Sequence, residues 1–285
     1  MNFRRLYILL ILLFPAMTLQ AITAEQEQQF KYYWYAARQA ITDERYTDAF
    51  ALLEFCHALQ PDDAQTTAFL GVIYDAIGDK QRAAEAFKQA YELSPTDHWQ
   101  RYLEPLLQQQ IQAKQWKQAL ATQDKIDRYR GEKDAYSALT RYRIYAMWNK
   151  PKKAIEAIDD YLETDPTNIR FLLFRLDLME QTGAKPKALY AMYDKILAVD
   201  PYNLMILNNY AYLLSTHKGD LTEAERMSAI TIREEPNNPV YLDTYGWILH
   251  LKGQDELALF FLRRAWTNAD EQNRQAIEQH IHAIQ

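Results

Sequence analysis

The chain is short of the residues that catalysis and covalent stapling draw on. One cysteine, Cys56, stands in 285 residues. No internal disulfide and no thiolate zinc site can form from it. Cys56 falls where a helix wants a small residue, so a buried structural thiol is expected. The six histidines (His57, His98, His217, His250, His280 and His282) make no HExxH. His280 and His282 are two apart and point to different sides of a helix. There is no GxSxG, no P-loop and no GxGxxG. Carboxylate pairs such as Asp159-Asp160 and Glu234-Glu235 sit at or near helix ends among many surface acids. No Pro/Gly/Ser-rich linker and no low-complexity tract divides the chain. The expectation is no enzyme, no cofactor and no metal.

What the chain has is a period. Pro61, Pro95, Pro166, Pro201 and Pro236 are separated by 34, 71, 35 and 35 residues, and 71 is two periods with the middle proline missing. Such a period marks a helical-repeat solenoid, which presents an extended binding surface rather than a closed catalytic pocket. The clearest unit runs from Ala64 to Asp97. It carries Leu70-Gly71, Tyr74, Gly78, Ala83, Phe87, Ala90 and Pro95. Gly71 and Ala83 are small, so two helices can cross closely. Leu70, Tyr74 and Phe87 fill the space around the crossing. Gly78 ends the first helix, and Pro95 stops the second.

The offsets recur. Tyr245-Gly246, Leu249, Gly253, Ala258, Leu262 and Ala265 match, as do Tyr210-Ala211, Leu214, Gly219, Ala224 and Pro236 with one extra turn residue. Gly183, Pro186 and Ala188 mark a looser unit. Tyr145, Asn149, Pro151, Ala154 and Ile158 mark another, and Ala37, Ala49 and Leu53 a degenerate first one. Residues 98–132 depart from the pattern: Pro105 lies inside the expected first helix, and the closing proline is missing. That stretch reads as a diverged repeat with a kink near Pro105. The glycines fit the scheme, with Gly78, Gly183, Gly219 and Gly253 between the helices of a pair, Gly71 and Gly246 at close contacts and Gly131 at a junction.

This pattern resembles the tetratricopeptide repeat, over roughly residues 30–269. The resemblance implies an all-α, right-handed α-α superhelix of about seven helix pairs plus a C-terminal capping helix. The repeats fall approximately at 30–63, 64–97, 98–134, 135–168, 169–203, 204–238 and 239–272, with the cap at 273–285. Ala276, Ile277, Ile281 and Ile284 give that last helix one apolar side.

The beginning reads as a targeting segment. Arg4 and Arg5 precede the apolar run Leu6 to Phe14, Pro15 breaks it, and Ala21 and Ala24 follow, the order of a secretory signal peptide spanning 1–24. The uncharged stretch Leu6 to Ile22 is 17 residues, the short limit for a retained membrane anchor. Export without disulfides fits a bacterial periplasm or cell envelope. The net charge of −6 is uneven, because residues 114–153 hold eleven Lys and Arg against four acids. That basic middle makes an envelope polymer (peptidoglycan or an anionic glycan) the alternative partner. Nucleic acid is not expected, and membrane contact only through the leader if it is retained.

Tetratricopeptide arrays usually present the first helix of each pair on the concave face. The resemblance then implies groove residues at Trp34, Arg38, Tyr136, Arg143, Asp177, Asn208, Tyr212, Asp243, Trp247 and His250. Trp, Tyr and Arg anchor interfaces well. Some arrays of this family grip a C-terminal carboxylate with a Lys/Asn/Arg clamp. The corresponding positions here are Ala68, Leu139, Leu173, Asn208 and Asp243, so chaperone-tail binding is not implied. The expected function is a non-catalytic adaptor or scaffold that captures a helix or extended peptide. The resemblance to periplasmic members points to envelope enzymes or outer-membrane assembly components as partners. Phe30, Tyr33 and Trp34, with Tyr32 and Tyr35, form an aromatic stripe that opens the first helix.

Overall fold

A computed structural model describes residues 23–96, 98–131 and 134–285. The leader expected at 1–24 lies outside these residues except for Thr23 and Ala24. The described residues form fifteen α-helices: α1 (Ala24–Thr42), α2 (Tyr46–Leu59), α3 (Ala64–Ala76), α4 (Lys80–Leu93), α5 (Trp99–Gln112), α6 (Trp116–Arg130), α7 (Ala135–Met147), α8 (Pro151–Leu162), α9 (Ile169–Gln181), α10 (Pro186–Val199), α11 (Leu204–Thr216), α12 (Leu221–Glu234), α13 (Pro239–Leu251), α14 (Asp255–Asn268) and α15 (Glu271–Ile284). They pack as seven antiparallel pairs followed by one single helix. The chain is an all-α helical-repeat solenoid. It divides into two compact units, the first ending at 132 and the second starting at 133. The first holds α1 to α6 and the second α7 to α15.

The turn inside each pair repeats most faithfully. Glu44, Gly78, Lys114, Asn149, Gly183, Lys218 and Gly253 all have positive φ, between 56° and 85°. These seven positions are 34, 36, 35, 34, 35 and 35 residues apart. The amide one residue further on reaches back to close the helix. Asp79 N–H donates to the Tyr74 carbonyl at 2.9 Å, and Gln115 N–H donates to the Gln110 carbonyl at 2.8 Å. This αL termination satisfies carbonyls that the helix end leaves open. Glycine takes the left-handed position in three turns only. In the sixth turn Lys218 takes it, and Gly219 follows it between the two helices of the pair. Gly219 is needed for space instead, since a Cβ there would stand 2.6 Å from Leu214 Cδ2 and 3.0 Å from its Cα.

The joint between pairs has its own rule. Asp63, Asp134, Asn168, Asn203, Asn238 and Asp270 cap the helices that follow them, each side chain accepting a backbone N–H two or three residues on. Such caps contribute about 1 kcal/mol each. The third pair breaks the rule as its sequence does. His98 caps α5 with left-handed backbone and no side-chain bond. Gly131, also left-handed, ends α6 where a proline closes other units. Between them α5 runs continuously from Trp99 to Gln112 with Pro105 inside.

Each pair closes over a small residue of its second helix. Ala49, Ala83, Ala119, Ala154, Ala224 and Ala258 are fully buried, one per helix. In α10 the slot holds Leu189, also buried, while Ala188, which the sequence pattern favours, is exposed. Two first-helix glycines make the closest crossings. A Cβ on Gly71 would lie 2.9 Å from the Phe87 ring, and one on Gly246 2.8 Å from Leu262 Cγ and 3.2 Å from the Ala258 carbonyl oxygen. In the first unit Ala37, Ala40, Leu53, Leu70 and Ile73 share one apolar cluster. The core of the second unit runs from Ala138 to Ile248 through Ile158, Leu172, Tyr193 and Ile206. Leu242, Leu262, Ala265 and Ile277 form a last cluster that fastens α15.

Candidate functional site

The first helices of the pairs carry the expected contact residues, and within each unit the structure sorts these into two columns one helical turn apart. One column faces solvent: Arg38, Val72, Arg143, Asp177 and Tyr212 are exposed on α1, α3, α7, α9 and α11. The other turns toward neighbouring helices. Trp34 packs edge-on against Phe69 of α3 at 5.8 Å between ring centres. Ala68 and Leu103 are buried, and Asn208 keeps only 3 % of its surface. Asn208 is therefore not open to a partner, as a groove position requires. Its Oδ1 finds no hydrogen bond, and its Nδ2 reaches Asn209 at 3.4 Å.

At the C-terminal end the expected groove residues have partners within the chain. α15 takes up Asp243 and Trp247. His280 of α15 shares a 2.8 Å hydrogen bond with Asp243 and stacks on the Trp247 ring at 4.4 Å. His250 bonds to Asp255 across the α13–α14 turn at 2.7 Å. These three residues fasten the last pair and its closing helix. The reason is that a last repeat needs a neighbour for its first helix, and α15 supplies one.

In the first unit an apolar recess of about 220 Å³ opens between α3 and α5, lined by Gln65, Ala68, Phe69, Val72, Arg101 and Tyr102. Its floor is Ala68 and the buried Tyr102, and Arg101 stands exposed at its rim. Trp34 braces Phe69 from the α1 side, and the Arg38 guanidinium lies 4.8 Å over the Trp34 ring. In the second unit the first-helix face carries Tyr136, Arg143, Met147, Met205 and Tyr212, all exposed. Asp177 accepts a hydrogen bond from Gln181 at 2.8 Å. Phe69, Val72, Arg101, Met147 and Met205 were missed in the sequence. Arg38, Val72 and Arg143 are whole repeats apart, and that spacing was the available signal.

Part of the basic middle is engaged with its own chain. Arg130 pairs with Glu104 at 3.6 Å, and Lys153 pairs with Glu156. Lys125 lies 4.6 Å over the Tyr91 ring and Lys150 5.9 Å over Trp148. The aromatic stripe is split: Tyr33 stacks on Phe55 of α2 at 5.2 Å, while Tyr32 and Tyr35 stay exposed. Burial pushes the Cys56 thiol up to about 11, which keeps it protonated and unreactive. Among the described residues no group of three or more His, Cys, Asp or Glu converges as a metal site would.

Stacked helix pairs with an exposed first-helix face make a repeat scaffold of the protein-interaction class. Residues 65–97 match the model of the tetratricopeptide repeat, the same unit read as clearest in the sequence. The TPR repeat-containing protein PA4667 of Pseudomonas aeruginosa is 28% identical over 149 residues, 50% of this chain and 24% of that protein. The alignment thus spans about a quarter of that relative's length. Among solved structures, Naa15/Naa10 bound to HypK-THB superimposes with a TM-score of 0.63 at 15% identity, covering 89% of this chain and 46% of that one. A tetratricopeptide repeat protein from Parabacteroides merdae gives 0.48 at 14% identity over 90% of this chain and 99% of that one. This chain carries a tetratricopeptide repeat at residues 65–97 within an all-α helical-repeat solenoid.

Proposed function

We propose that this protein is a non-catalytic adaptor of the bacterial cell envelope that holds a helix or an extended peptide of a partner against its first-helix face. The observation that carries the reading is the apolar recess on that face, with Phe69 and Val72 as walls and Arg101 at its rim. Open apolar pockets edged by arginine suit a partner side chain that buries while its neighbours hydrogen-bond. In the second unit Arg143 and Tyr212 extend the same kind of surface. The partners are envelope enzymes or outer-membrane assembly components.

Export rests on the leader. Of its two candidate cleavage points, the one after Ala21 preserves the start of α1. There the Thr23 hydroxyl accepts the Gln26 N–H, and the Gln26 side chain accepts the Thr23 N–H. Cutting after Ala24 removes this capping box, which contributes about 1 kcal/mol. Mass spectrometry of the mature N-terminus separates the two.

The test is affinity capture from cross-linked envelope fractions, comparing wild type with Arg38→Glu, Val72→Asp and Tyr212→Ala. All three residues are exposed, and circular dichroism of each variant checks that the fold is kept. A small set of envelope proteins lost with these variants supports the reading. Recovery of glycan polymer alone, or a protein set indifferent to all three, overturns it.

A further inference from the structure

The outer face of α14 carries a stripe that the first-helix reading leaves unused. Glu256, Leu259, Phe260, Arg263 and Arg264 lie along it, and with Asn237 they line an open notch of about 680 Å³. Phe260 is 59% exposed, the most exposed phenylalanine among the described residues, and Leu257 beside it is also exposed. Neither Arg263 nor Arg264 meets a carboxylate among the described residues; Arg264 donates only to the Asn237 side-chain oxygen, at 2.9 Å. Glu256 likewise meets no cation. Phe260 and Leu257 together put contiguous apolar surface between charges that form no ion pair among the described residues, a surface that a partner can cover.

The order of charges says by what. Glu256 lies four residues before Phe260 and Arg264 four residues after it. A two-fold axis through Phe260 sets α14 antiparallel to a copy of itself. It brings each Glu256 opposite the other chain's Arg264 and leaves the two Phe260 rings together at the centre. The charged ends stand about 12 Å apart along the helix at 1.5 Å per residue, so both pairs form in one register. The stripe is self-complementary, as an isologous contact must be. We infer that this protein forms a two-fold dimer through the outer face of α14, with Phe260 at its centre and two Glu256–Arg264 ion pairs at its ends. This does not depend on the adaptor reading, and it leaves the first-helix face of both copies open.

One helix against one helix covers less than the roughly 800 Å² per partner of a standard stable interface. The dimer is therefore concentration-dependent, with a dissociation constant of micromolar order. Sedimentation velocity of the full chain from about 1 to 100 µM brackets that range. The expected result is a monomer–dimer equilibrium for wild type. Phe260→Asp shifts it to monomer at every concentration. Glu256→Arg and Arg264→Glu each weaken it at least tenfold, because like charges then face each other. An equimolar mixture of those two variants recovers dimer, because the heterodimer pairs opposite charges at both ends. Association through the apolar leader is indifferent to these substitutions. A wild-type monomer throughout, a dimer that survives Phe260→Asp, or a mixture that stays monomeric overturns the inference.

Discussion

Replacing Gly71 with leucine should open the first unit. A single added Cβ already stands 2.9, 3.0 and 3.1 Å from three atoms of the Phe87 ring. That ring is 2% exposed and sits in the packed interior of the α3–α4 pair, so it has little room to give. Overpacking of this kind costs about 1–3 kcal/mol. Glycine to alanine in a helix returns about 1 kcal/mol. Gly71→Ala therefore nets roughly 0–2 kcal/mol of destabilisation. Gly71→Leu adds three more carbons to the same clash and reaches about 3 kcal/mol, a fall of roughly 6–12 °C in melting temperature. Phe87→Leu removes the obstructing ring and should partly rescue Gly71→Leu. The coupling between the two is about 0.5–3 kcal/mol in the favourable direction. Thermal and urea unfolding followed by circular dichroism, on both single variants and the double, reads this directly. An unchanged melt for Gly71→Leu, or strictly additive losses in the double variant, refutes the close crossing.

Further outcomes follow from other positions. Lys114→Gly and Lys218→Gly relieve left-handed strain and should each stabilise by about 0.5–1 kcal/mol, whereas Asn149→Gly changes little because asparagine tolerates that conformation; chemical denaturation ranks the three. Asn203→Ala removes the cap on the Ile206 N–H and should cost about 1 kcal/mol in the same assay. Burial pushes the phenol pKa of Tyr142, Tyr193, Tyr210, Tyr241 and Tyr245 above the ordinary tyrosine value. The folded state thus holds these phenol protons more tightly than the unfolded chain, and stability is intact below the ordinary tyrosine range near 10 and lost as pH rises through it. An alkaline absorbance titration should show this buried set ionising only with unfolding. Cys56, raised to about 11, should react with a thiol reagent only as fast as the chain opens.

The fold was legible because it is written in small residues and turn-formers at fixed spacing. A side chain at Gly71 or Gly246 would meet its neighbour, and the alanines beside them are fully buried, so the small residues stand out as a pattern. The left-handed turn position was only partly legible. Glycine marks it at 78, 183 and 253, but Glu44, Lys114 and Lys218 take it at a cost the helix closure offsets, and no residue type announces that. Pro105 obscured the third pair, whose ends are set by His98 and Gly131 instead of the Asx cap and proline used elsewhere. The candidate site was legible in which helices carry it and less so in which side faces out. A shift of one turn along a first helix separates exposed Tyr212 from buried Asn208. Trp247 occupies a repeat position that is exposed in Tyr212 and Asp177, and the placement of α15 covers it.

The most direct measurement is photo-cross-linking in intact cells from single positions. The cross-linker is placed at Arg38, Val72, Arg143 and Tyr212 on first helices and at Lys88, Lys152 and Lys187 on second helices, all exposed. The same partner proteins should be captured from the first-helix positions in both units and not from the second-helix ones. Capture from the second-helix positions instead, or from none of the seven, contradicts an adaptor that works through its first-helix face.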